Sequence, residues 1–377
     1  MTSPPRILIA LPQLGRGGPD RVMFEVACGL ADLGWSVHVA TVDGPGQRVH
    51  DLPEVVTHSF TRTVPVRLDR RYPVHGLARE LRRLRPDVLL TTHHMNYAAY
   101  GALRLVRDAP LWAMRPTTTT SSHVEDVGSE RLRHRIAHRA MTRMIERCDL
   151  LVAQSRDMAD DARLLGRSGP IAVIGNPAPP RPVNVVGADG RDRVIAYVGR
   201  LSREKGPDLL VDAFARAQAR ADGYTLDLWG DGPMRVQLAE QARALGMSGV
   251  VRFRGTASDS LAAMAHAALV VVPSRYDGFS NVIIEALSVG TPVVATSCPG
   301  AAREVIVHEA LGRLSPPEDP GALGVAMDAA LAGEPDHDAI AALVQEAWNR
   351  ERVIEAYDAA LRALADPPGG TSRPGGP

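Results

Sequence analysis

Lysine is almost absent from this sequence. Lys205 is the single lysine among 43 basic side chains, and all the others are arginine, in a chain of 377 residues. Such a bias usually follows genome composition, so an isolated lysine draws attention to its position. Aromatic residues are also scarce at 4%, whereas apolar residues reach 45%, enough for a sizeable core in two domains.

Cysteine is scarce as well, and long apolar runs are lacking. Cys28, Cys148 and Cys298 are odd in number and far apart, so no disulfide framework is predicted, and a reducing, cytoplasmic compartment fits. The sequence begins with polar and proline residues and only a short apolar run. We therefore expect neither a signal peptide nor a membrane-spanning helix.

The charges cancel overall but not locally. The formal net charge is zero, which argues against a dedicated nucleic-acid binder. Residues 1–175 carry 24 arginines against 18 acids, a net of +6, and the remainder carries 19 basic residues against 25 acids, a net of −6. The basic stretches 79–85 and 131–147 are candidates for weak peripheral contact with anionic lipid, although an isolated basic helix is more often simply solvated.

Short apolar runs alternate with amphipathic stretches, which predicts parallel sheets covered by helices on both faces. The predicted strands of the first part are 6–11, 35–42, 87–91, 111–114, 150–153 and 171–174. A linker rich in Pro and Gly follows over 177–192. The predicted strands of the second part are 194–198, 225–229, 251–253, 269–272 and 292–295. We therefore predict an α/β protein of two Rossmann-like, doubly wound domains with a cleft between their strand ends.

The same pattern sets the expected domain boundaries. The first domain is predicted over 1–178 and the second over 179–345. A helix is predicted over 346–365, and a disordered Pro- and Gly-rich tail over 366–377.

Glycines follow the first predicted strand, where Gly17 and Gly18 precede a helix. Glycine lets the backbone approach a ligand, and the helix N-terminus favours an anion. The third glycine of a dinucleotide-binding fingerprint is absent, although Asp43 after the second strand stands where a ribose-binding acid would. A nicotinamide-dependent dehydrogenase is therefore the enzyme alternative, and a turn without a ligand is the structural one.

Two cations follow the first strand of the second domain. Gly199 and Arg200 end that strand, and Lys205 comes five residues after Arg200. An arginine and a lysine near a helix start suit a diphosphate, because the guanidinium binds bidentately and the ammonium adds a point charge. The alternative is a solvated helix cap, and the isolation of the lysine favours the functional interpretation.

Two carboxylates lie eight residues apart in the segment 271–287. Asp277 is on the loop after a buried strand, and Glu285 is about one turn into the next helix. A carboxylate there can accept hydrogen bonds from sugar or ribose hydroxyls, and the helix start attracts an anion. The turns at Gly230 and at Gly255 and Thr256 also follow strands, and each alone is only turn chemistry.

These motifs resemble the donor half of the retaining, GT-B-fold glycosyltransferases of family 4. The similarity lies in a G-R-x3-E-K-G loop from Gly199 to Gly206, a G-x-G-P turn from Gly230 to Pro233, and an E-x7-E-like segment that continues to Ala295. Residues 298–306 resemble the family's next loop and helix. In the first domain, residues 17–22 are similar to the family's G-G-A-E-R-V. The resemblance covers most of residues 6–362 and is specific in the second half and loose in the first.

The resemblance implies that Arg200 and Lys205 bind the diphosphate of a nucleotide sugar, Glu285 the ribose and Asp277 the donor sugar. It further implies that the last helix returns to the first domain. The donor-binding set then comprises Gly17, Gly18, Gly199, Arg200, Lys205, Gly230, Gly255, Thr256, Asp277, Gly278, Phe279, Ser280, Asn281, Val282 and Glu285. Asp277 stands where the family usually has Glu, which shortens the reach by about 1.5 Å. Pro19 and Asp20 replace the usual Ala-Glu.

The first domain is expected to bind the acceptor, because polar residues follow its strands. The predicted acceptor residues are His93, His94, Asn96, Arg115 and Thr117. Arg200, Lys205, Asp277, His93 and His123 form the predicted catalytic set. For His93 and His94 an ordinary surface position is an equal alternative.

No convincing metal site is predicted. His134 and His138 have helical ligand spacing but lie among arginines, and Asp336 and Asp338 stand at a polar helix start where aspartate commonly caps. We therefore predict a metal-independent hexosyltransferase without a cofactor, using a nucleotide-sugar donor, most simply a UDP-sugar. The acceptor is a saccharide, a lipid-linked sugar or a natural-product aglycone. An inactive nucleotide-sugar-binding relative or partner subunit and a sugar-nucleotide epimerase on the same fold are the alternatives.

Overall fold

The protein forms two compact units in a computed structural model. The first unit contains residues 1–175 and 350–377, and the second contains 176–349. The structure describes residues 3–15, 17–60, 73–119, 131–182, 190–257 and 259–366, and for residues 131–137 the backbone only. The predicted tail lies outside this described part, apart from Asp366, and so does His123.

The first unit is built on a seven-stranded parallel sheet of order β3-β2-β1-β4-β5-β6-β7. The central strands are buried because helices cover both faces, and β1 is buried from Ile7 to Leu11. The strands are β1 (Arg6–Leu11), β2 (Ser36–Thr41), β3 (Thr57–Phe60), β4 (Val88–Thr92), β5 (Leu111–Arg115), β6 (Leu150–Ala153) and β7 (Ile171–Val173).

Helices of the first unit follow its strands in sequence. They are α1 (Gly18–Asp32), α2 (Val74–Leu84), α3 (Met95–Ala102), α4 (Arg131–Arg147) and α5 (Arg156–Leu164), with short 3-10 turns at Val49–Asp51 and Leu103–Leu105. None of the described helices is long and apolar enough to cross a membrane.

The second unit repeats the design with six parallel strands in the order β10-β9-β8-β11-β12-β13. The order reverses between β8 and β11, which is where ligands of open α/β sheets bind. The strands are β8 (Asp192–Val198), β9 (Thr225–Trp229), β10 (Val251–Gly255), β11 (Ala267–Val272), β12 (Val293–Thr296) and β13 (Gly312–Ser315). The helices are α6 (Pro207–Arg216), α7 (Gln218–Ala221), α8 (Arg235–Ala244), α9 (Ser260–His266), α10 (Asn281–Ser288), α11 (Ala302–Val305), α12 (Pro320–Leu331) and α13 (His337–Trp348).

The last helix, α14 (Arg350–Ala365), belongs to the first unit, as predicted. It packs closely on α1, where a Cβ on Gly29 would collide with the side chain of Ile354. Arg115 Nε donates a hydrogen bond of 3.0 Å to the Tyr357 hydroxyl. Both side chains are fully buried, so this bond fastens α14 to the end of β5.

The sequence analysis missed two strands, β3 and β13. Each lies at the edge of its sheet. Their sequences, THSF and GRLS, contain few apolar residues, because an edge strand needs less burial than a central one. The segment 177–182 also differs from a free linker, since Ala178 is buried and its N–H donates to Trp348 O at 2.8 Å within the second unit.

Candidate functional site

The candidate donor site lies at the carboxyl ends of the strands of the second unit. Loops after β8, β9, β10 and β11 begin at Gly199, Gly230, Thr256 and Pro273. Parallel strands end at one edge of the sheet, so these four loops are neighbours. Three close backbone contacts, described below, hold them together.

Lys205 and Asp277 meet at this edge. Lys205 Nζ donates a hydrogen bond of 2.6 Å to Asp277 Oδ2. The side chains are 34% and 15% exposed, so the pair is open to solvent on the lysine side. Lys205 and Asp277 were predicted from separate motifs to bind the diphosphate and the sugar. The two side chains are thus adjacent and have opposite charges.

The lysine stands on a short, well-fixed turn. Arg203–Lys205 forms a 3-10 turn, and the Ser202 hydroxyl donates to Glu204 Oε1 at 2.5 Å. Gly206 follows with a left-handed φ of 65°, and a Cβ there would collide with the carbonyl oxygen of Pro273. Glycine is therefore required for the Lys205 turn to contact the loop after β11.

The neighbouring loops also touch through their backbones. Gly230 has a φ of 137°, and a Cβ on it would collide with Gly199 O. Gly230 N donates to Gly255 O at 2.7 Å, and the Tyr197 hydroxyl donates to Arg200 O at 2.6 Å. The glycines that were predicted to contact a donor therefore also contact one another through their backbones. The Arg200 side chain is exposed, as is Thr256.

The buried thiol of Cys298 lies near the Asp277 carboxylate. Asp277, Ser280, Cys298 and Gly300 line one small cavity, and a Cβ on Gly300 would collide with Asp277 O. Burial, followed by the charge of Asp277, raises the pKa of Cys298 to about 11. The thiol therefore remains protonated and packs as a small neutral side chain beside the ion pair.

Helix α10 carries the second carboxylate. Glu285 is half-buried on this helix, and Asn281 at its start accepts a hydrogen bond of 2.8 Å from Asn176 Nδ2. The Phe279 ring packs edge-on against Trp348, with 5.3 Å between ring centroids, and is buried in the core. Val282 packs against the same core. The Phe279 side chain is thus part of the core, and its assignment to the donor-binding set stays a prediction.

The cavity of about 680 Å³ in the second unit is elsewhere. It lies on the face of β8, β9 and β10 beside α9, and none of the predicted site residues lines it. The buried carboxylate of Asp227 there binds the guanidinium groups of Arg252 and Arg254, at 2.8 and 2.7 Å. It is thus a polar sheet face on which Asp227 forms ion pairs with two arginines.

Polar residues also gather at the strand ends of the first unit. His94 Nε2 lies 3.6 Å from Asp43 Oδ2. His93 has a left-handed φ of 53°, an uncommon backbone state for a residue with a side chain. Burial, followed by the charges of Arg115 and His94, lowers the pKa of His93 to about 4. His93 is therefore neutral near pH 7 and can accept a hydrogen bond.

Two predicted acceptor residues are internal. Asn96 is 1% exposed, with its Oδ1 accepting from the Thr91 hydroxyl at 2.7 Å and its Nδ2 donating to Arg115 O. Arg115 is also 1% exposed and binds Tyr357. These side chains thus connect β4, β5 and α14 inside the first unit, and their assignment to an acceptor stays a prediction. Thr117, after β5, is half-buried.

The glycines before α1 begin that helix. Gly17 is its N-cap, and Gly18 is its first residue. Gly15 N donates to Asp20 Oδ2 at 3.1 Å, which closes the preceding turn. Burial raises the pKa of Asp20, and this hydrogen bond opposes the effect.

The acidic candidate metal motif, Asp336 and Asp338, caps a helix and forms an ion pair. Asp336 caps α13 by accepting from the N–H groups of Asp338 and Ala339, and Asp338 pairs with Arg181 at 2.5 Å. The described residues contain no group of three or more potential metal ligands. The side chain of His134 lies outside the described part.

Two arginines of the basic helix α2 bind other groups of the protein. Arg83 forms an ion pair with Glu80, and Arg82 donates a hydrogen bond to Leu105 O.

Two family models match this sequence, one in each unit. The model described as Glycosyltransferase Family 4 matches residues 16–181, and the model described as Glycosyl transferases group 1 matches residues 192–332. The chain belongs to glycosyltransferase family 4. The resemblance seen in the motifs of the second half thus extends across both domains of this family member.

Curated relatives of this family member include glycosyltransferases that match part of its sequence. An uncharacterized glycosyltransferase of Methanocaldococcus jannaschii is 34% identical over 148 residues, or 39% of this chain and 37% of the relative. The chain spans about a third of the length of the first curated relatives it matches.

Solved structures confirm the predicted GT-B fold. Sucrose-phosphate synthase from Thermosynechococcus elongatus superposes with a TM-score of 0.78 at 22% identity, covering 96% of this chain and 99% of that one. The HepE protein of Anabaena, in complex with UDP and glucose, gives a TM-score of 0.76 at 20% identity over 95% of this chain and 99% of its own.

One residue of this site was missed by sequence reasoning. Arg275 lies within the predicted loop, two residues before Asp277, and received no role. Its side chain is only 9% exposed and bonds to Asp208 and Glu318. A buried arginine in a polar loop can be recognised as unusual only once its burial is known.

Proposed function

We propose that this family 4 member transfers a sugar from a nucleotide diphosphate to an acceptor hydroxyl with retention of configuration. The observation that carries the proposal is the contact of Lys205 with Asp277 at the strand ends of the second unit. It gathers a cation suited to a diphosphate and a carboxylate suited to sugar hydroxyls at a single point of the sheet edge.

The donor is proposed to be a UDP-sugar. The HepE neighbour was solved with UDP and glucose, which supports this choice of nucleotide. Arg200 is exposed on the same loop as Lys205, so both cations are available to the leaving diphosphate. They stabilise the charge that develops as the glycosidic bond breaks, and the proposal requires no metal ion.

The carboxylates of Glu285 and Asp277 bind different parts of the donor. Glu285 on α10 accepts hydrogen bonds from the ribose hydroxyls, and Asp277 accepts them from the sugar. The amide groups at the start of α10, from Gly278 to Asn281, face the same anion. The loops at Gly199, Gly230 and Gly255 surround the nucleotide with backbone atoms.

The acceptor is proposed to bind to the first unit. His93 and His94 follow β4, Thr117 follows β5, and a neutral His93 can accept a hydrogen bond from an acceptor hydroxyl. Saccharides, lipid-linked sugars and natural-product aglycones all present such hydroxyls. The described cysteines are free and buried, in line with our proposal of a cytoplasmic enzyme.

Retention is proposed to follow a front-face route. Asp277 and Glu285 are assigned to donor hydroxyls, so neither serves as the nucleophile of a double displacement. The anion site made by Arg200 and Lys205 instead holds the departing phosphate next to the reacting carbon. That phosphate then accepts the proton of the acceptor hydroxyl as the new bond forms on the same face.

Thermal shift and nucleotide release with a panel of UDP-, GDP- and ADP-sugars test the proposal. We expect stabilisation by one UDP-sugar and by UDP, slow release of UDP in water, and faster release once an acceptor is added. Conversion of the donor sugar without an acceptor would indicate an epimerase. Binding of a donor without turnover by any acceptor would indicate an inactive relative, and no binding of any nucleotide would reject the proposal.

A further inference from the structure

Arg275 binds the whole segment that carries Lys205. Its Nη1 and Nη2 donate to the two carboxylate oxygens of Asp208 at 2.8 and 2.7 Å. Nη1 also donates to Arg203 O at 2.7 Å, and Nε donates to Glu318 Oε1 at 2.6 Å. The guanidinium thus donates four hydrogen bonds to three residues, and the Arg275 side chain is 9% exposed.

The backbone of Arg275 adds a fifth connection. Its N–H donates to Glu204 O at 2.9 Å, in the turn that contains Lys205. Asp208 lies in the first turn of α6, so Arg275 contacts the chain on both sides of Lys205. We call residues 203–208 the lysine segment.

The charges of this network reinforce each other. Burial alone would raise the pKa of Asp208, but the hydrogen bonds and charge of Arg275 outweigh it and lower the pKa. Hydrogen bonding to Asp208 is the largest cause of a raised pKa for Arg275. Both groups therefore stay ionised through the neutral pH range. A planar, bidentate pair of this kind fixes direction as well as distance.

Asp277 follows two residues after Arg275 in the same loop. The position of Lys205 relative to Asp277 is therefore set by how Arg275 holds the lysine segment, together with the contact of Gly206 with Pro273 O. Lys205 itself has a long flexible side chain, so its ammonium is placed well only if its backbone is fixed.

We propose that Arg275 is a positioning residue for donor transfer, which acts through Lys205 by locking the lysine segment against the Asp277 loop. The inference rests on the proposed function. Arg275 does not touch the donor in this proposal, because its donor groups are used by Asp208, Glu318 and Arg203 O. Loss of the lock lets Lys205 drift from the leaving diphosphate, and small displacements of charge-stabilising groups are costly.

A double-mutant cycle tests the proposal on the full chain with its UDP-sugar and acceptor. Arg275→Ala is expected to lower kcat/KM by on the order of 10–100-fold in the wild-type background. In a Lys205→Ala background the same change is expected to lower it less than about threefold, because the residue it positions is gone. Equal losses in the two backgrounds would overturn the proposal.

Conservative variants separate positioning from folding. Asp208→Asn keeps the shape but weakens the lock, so it is expected to follow Arg275→Ala in kcat/KM while still unfolding cooperatively. Arg275→Lys keeps the charge but not the fork, and is expected to restore little activity. Arg313→Ala removes an arginine that pairs with Glu309 and not with the lysine segment, so it serves as the control expected to keep activity.

The result also distinguishes this inference from the proposed function. A wild-type protein that binds and turns over no nucleotide sugar rejects the proposed function. An active wild type with Arg275→Lys and Asp208→Asn at full kcat/KM rejects the positioning role alone. This second outcome stands even if Arg275→Ala fails to fold.

Discussion

Lys205 Nζ and Asp277 Oδ2 are 2.6 Å apart although 72 residues separate them in the sequence. The pair joins the loop after β8 to the loop after β11, on either side of the point where the strand order reverses. In the proposed function, a nucleotide-sugar donor at this point contacts both groups. The roles proposed for the two groups, diphosphate binding by Lys205 and sugar binding by Asp277, can be tested separately by substitution.

Replacement of the single lysine tests the diphosphate assignment. Lys205→Ala is expected to reduce kcat by on the order of 10²–10³, the range for losing one preorganised charge-stabilising group. The melting curve is expected to change little, because a solvent-accessible ion pair contributes little to stability. Arg203→Ala, in the same turn and exposed, is the matched control and should keep most activity. Near-normal turnover by folded Lys205→Ala would contradict the assignment.

The two carboxylates are expected to differ in what they bind. Glu285→Ala should weaken both free UDP and the UDP-sugar, because ribose belongs to both ligands. Asp277→Glu should change the preference among UDP-sugars more than the affinity for free UDP, since the longer side chain meets only the sugar. Calorimetric titration with UDP and with the donor measures both effects. Equal losses of UDP affinity in the two variants would argue against this division.

The stereochemical outcome is a separate prediction. An α-linked donor is expected to give an α-linked product, because the leaving phosphate takes the acceptor proton on the same face. Proton NMR of the first-formed glycoside, read from the anomeric coupling before mutarotation, measures it. A β-linked product would require a general base opposite the leaving group, and would make His93, His94 or His123 the leading candidate.

The hydroxyl of Tyr357 is expected to stabilise the first unit. Tyr357→Phe leaves Arg115 without this partner in a fully buried position, which should cost about 1–3 kcal/mol in the free energy of unfolding. Urea denaturation measures the loss. Tyr224→Phe is the control, because the Tyr224 ring stacks with Arg193 through its face and keeps that contact. An equal effect of both substitutions would contradict the role of the buried bond.

Local sequence pattern was enough to predict the central strands and the turns that follow them. Buried central strands such as β1 and β11 appear as continuous apolar runs, and the glycine turns after them mark where the strands end. The edge strands β3 and β13 were not predicted, because a strand at the edge of a sheet needs no continuous apolar run. Motif spacing then selected Lys205, Asp277 and Glu285, since the loops that follow parallel strands share one edge.

Which of these side chains meet and which are buried depends on contacts between distant parts of the chain. Asn96 and Arg115 follow strands, as an exposed site residue would, yet the helix α14 from the far end of the chain covers Arg115. Arg275 stands in a polar loop, yet Asp208 and Glu318 surround it. These outcomes depend on contacts between residues far apart in sequence. Local periodicity contains no information about them, because it reports only which face of one element is apolar.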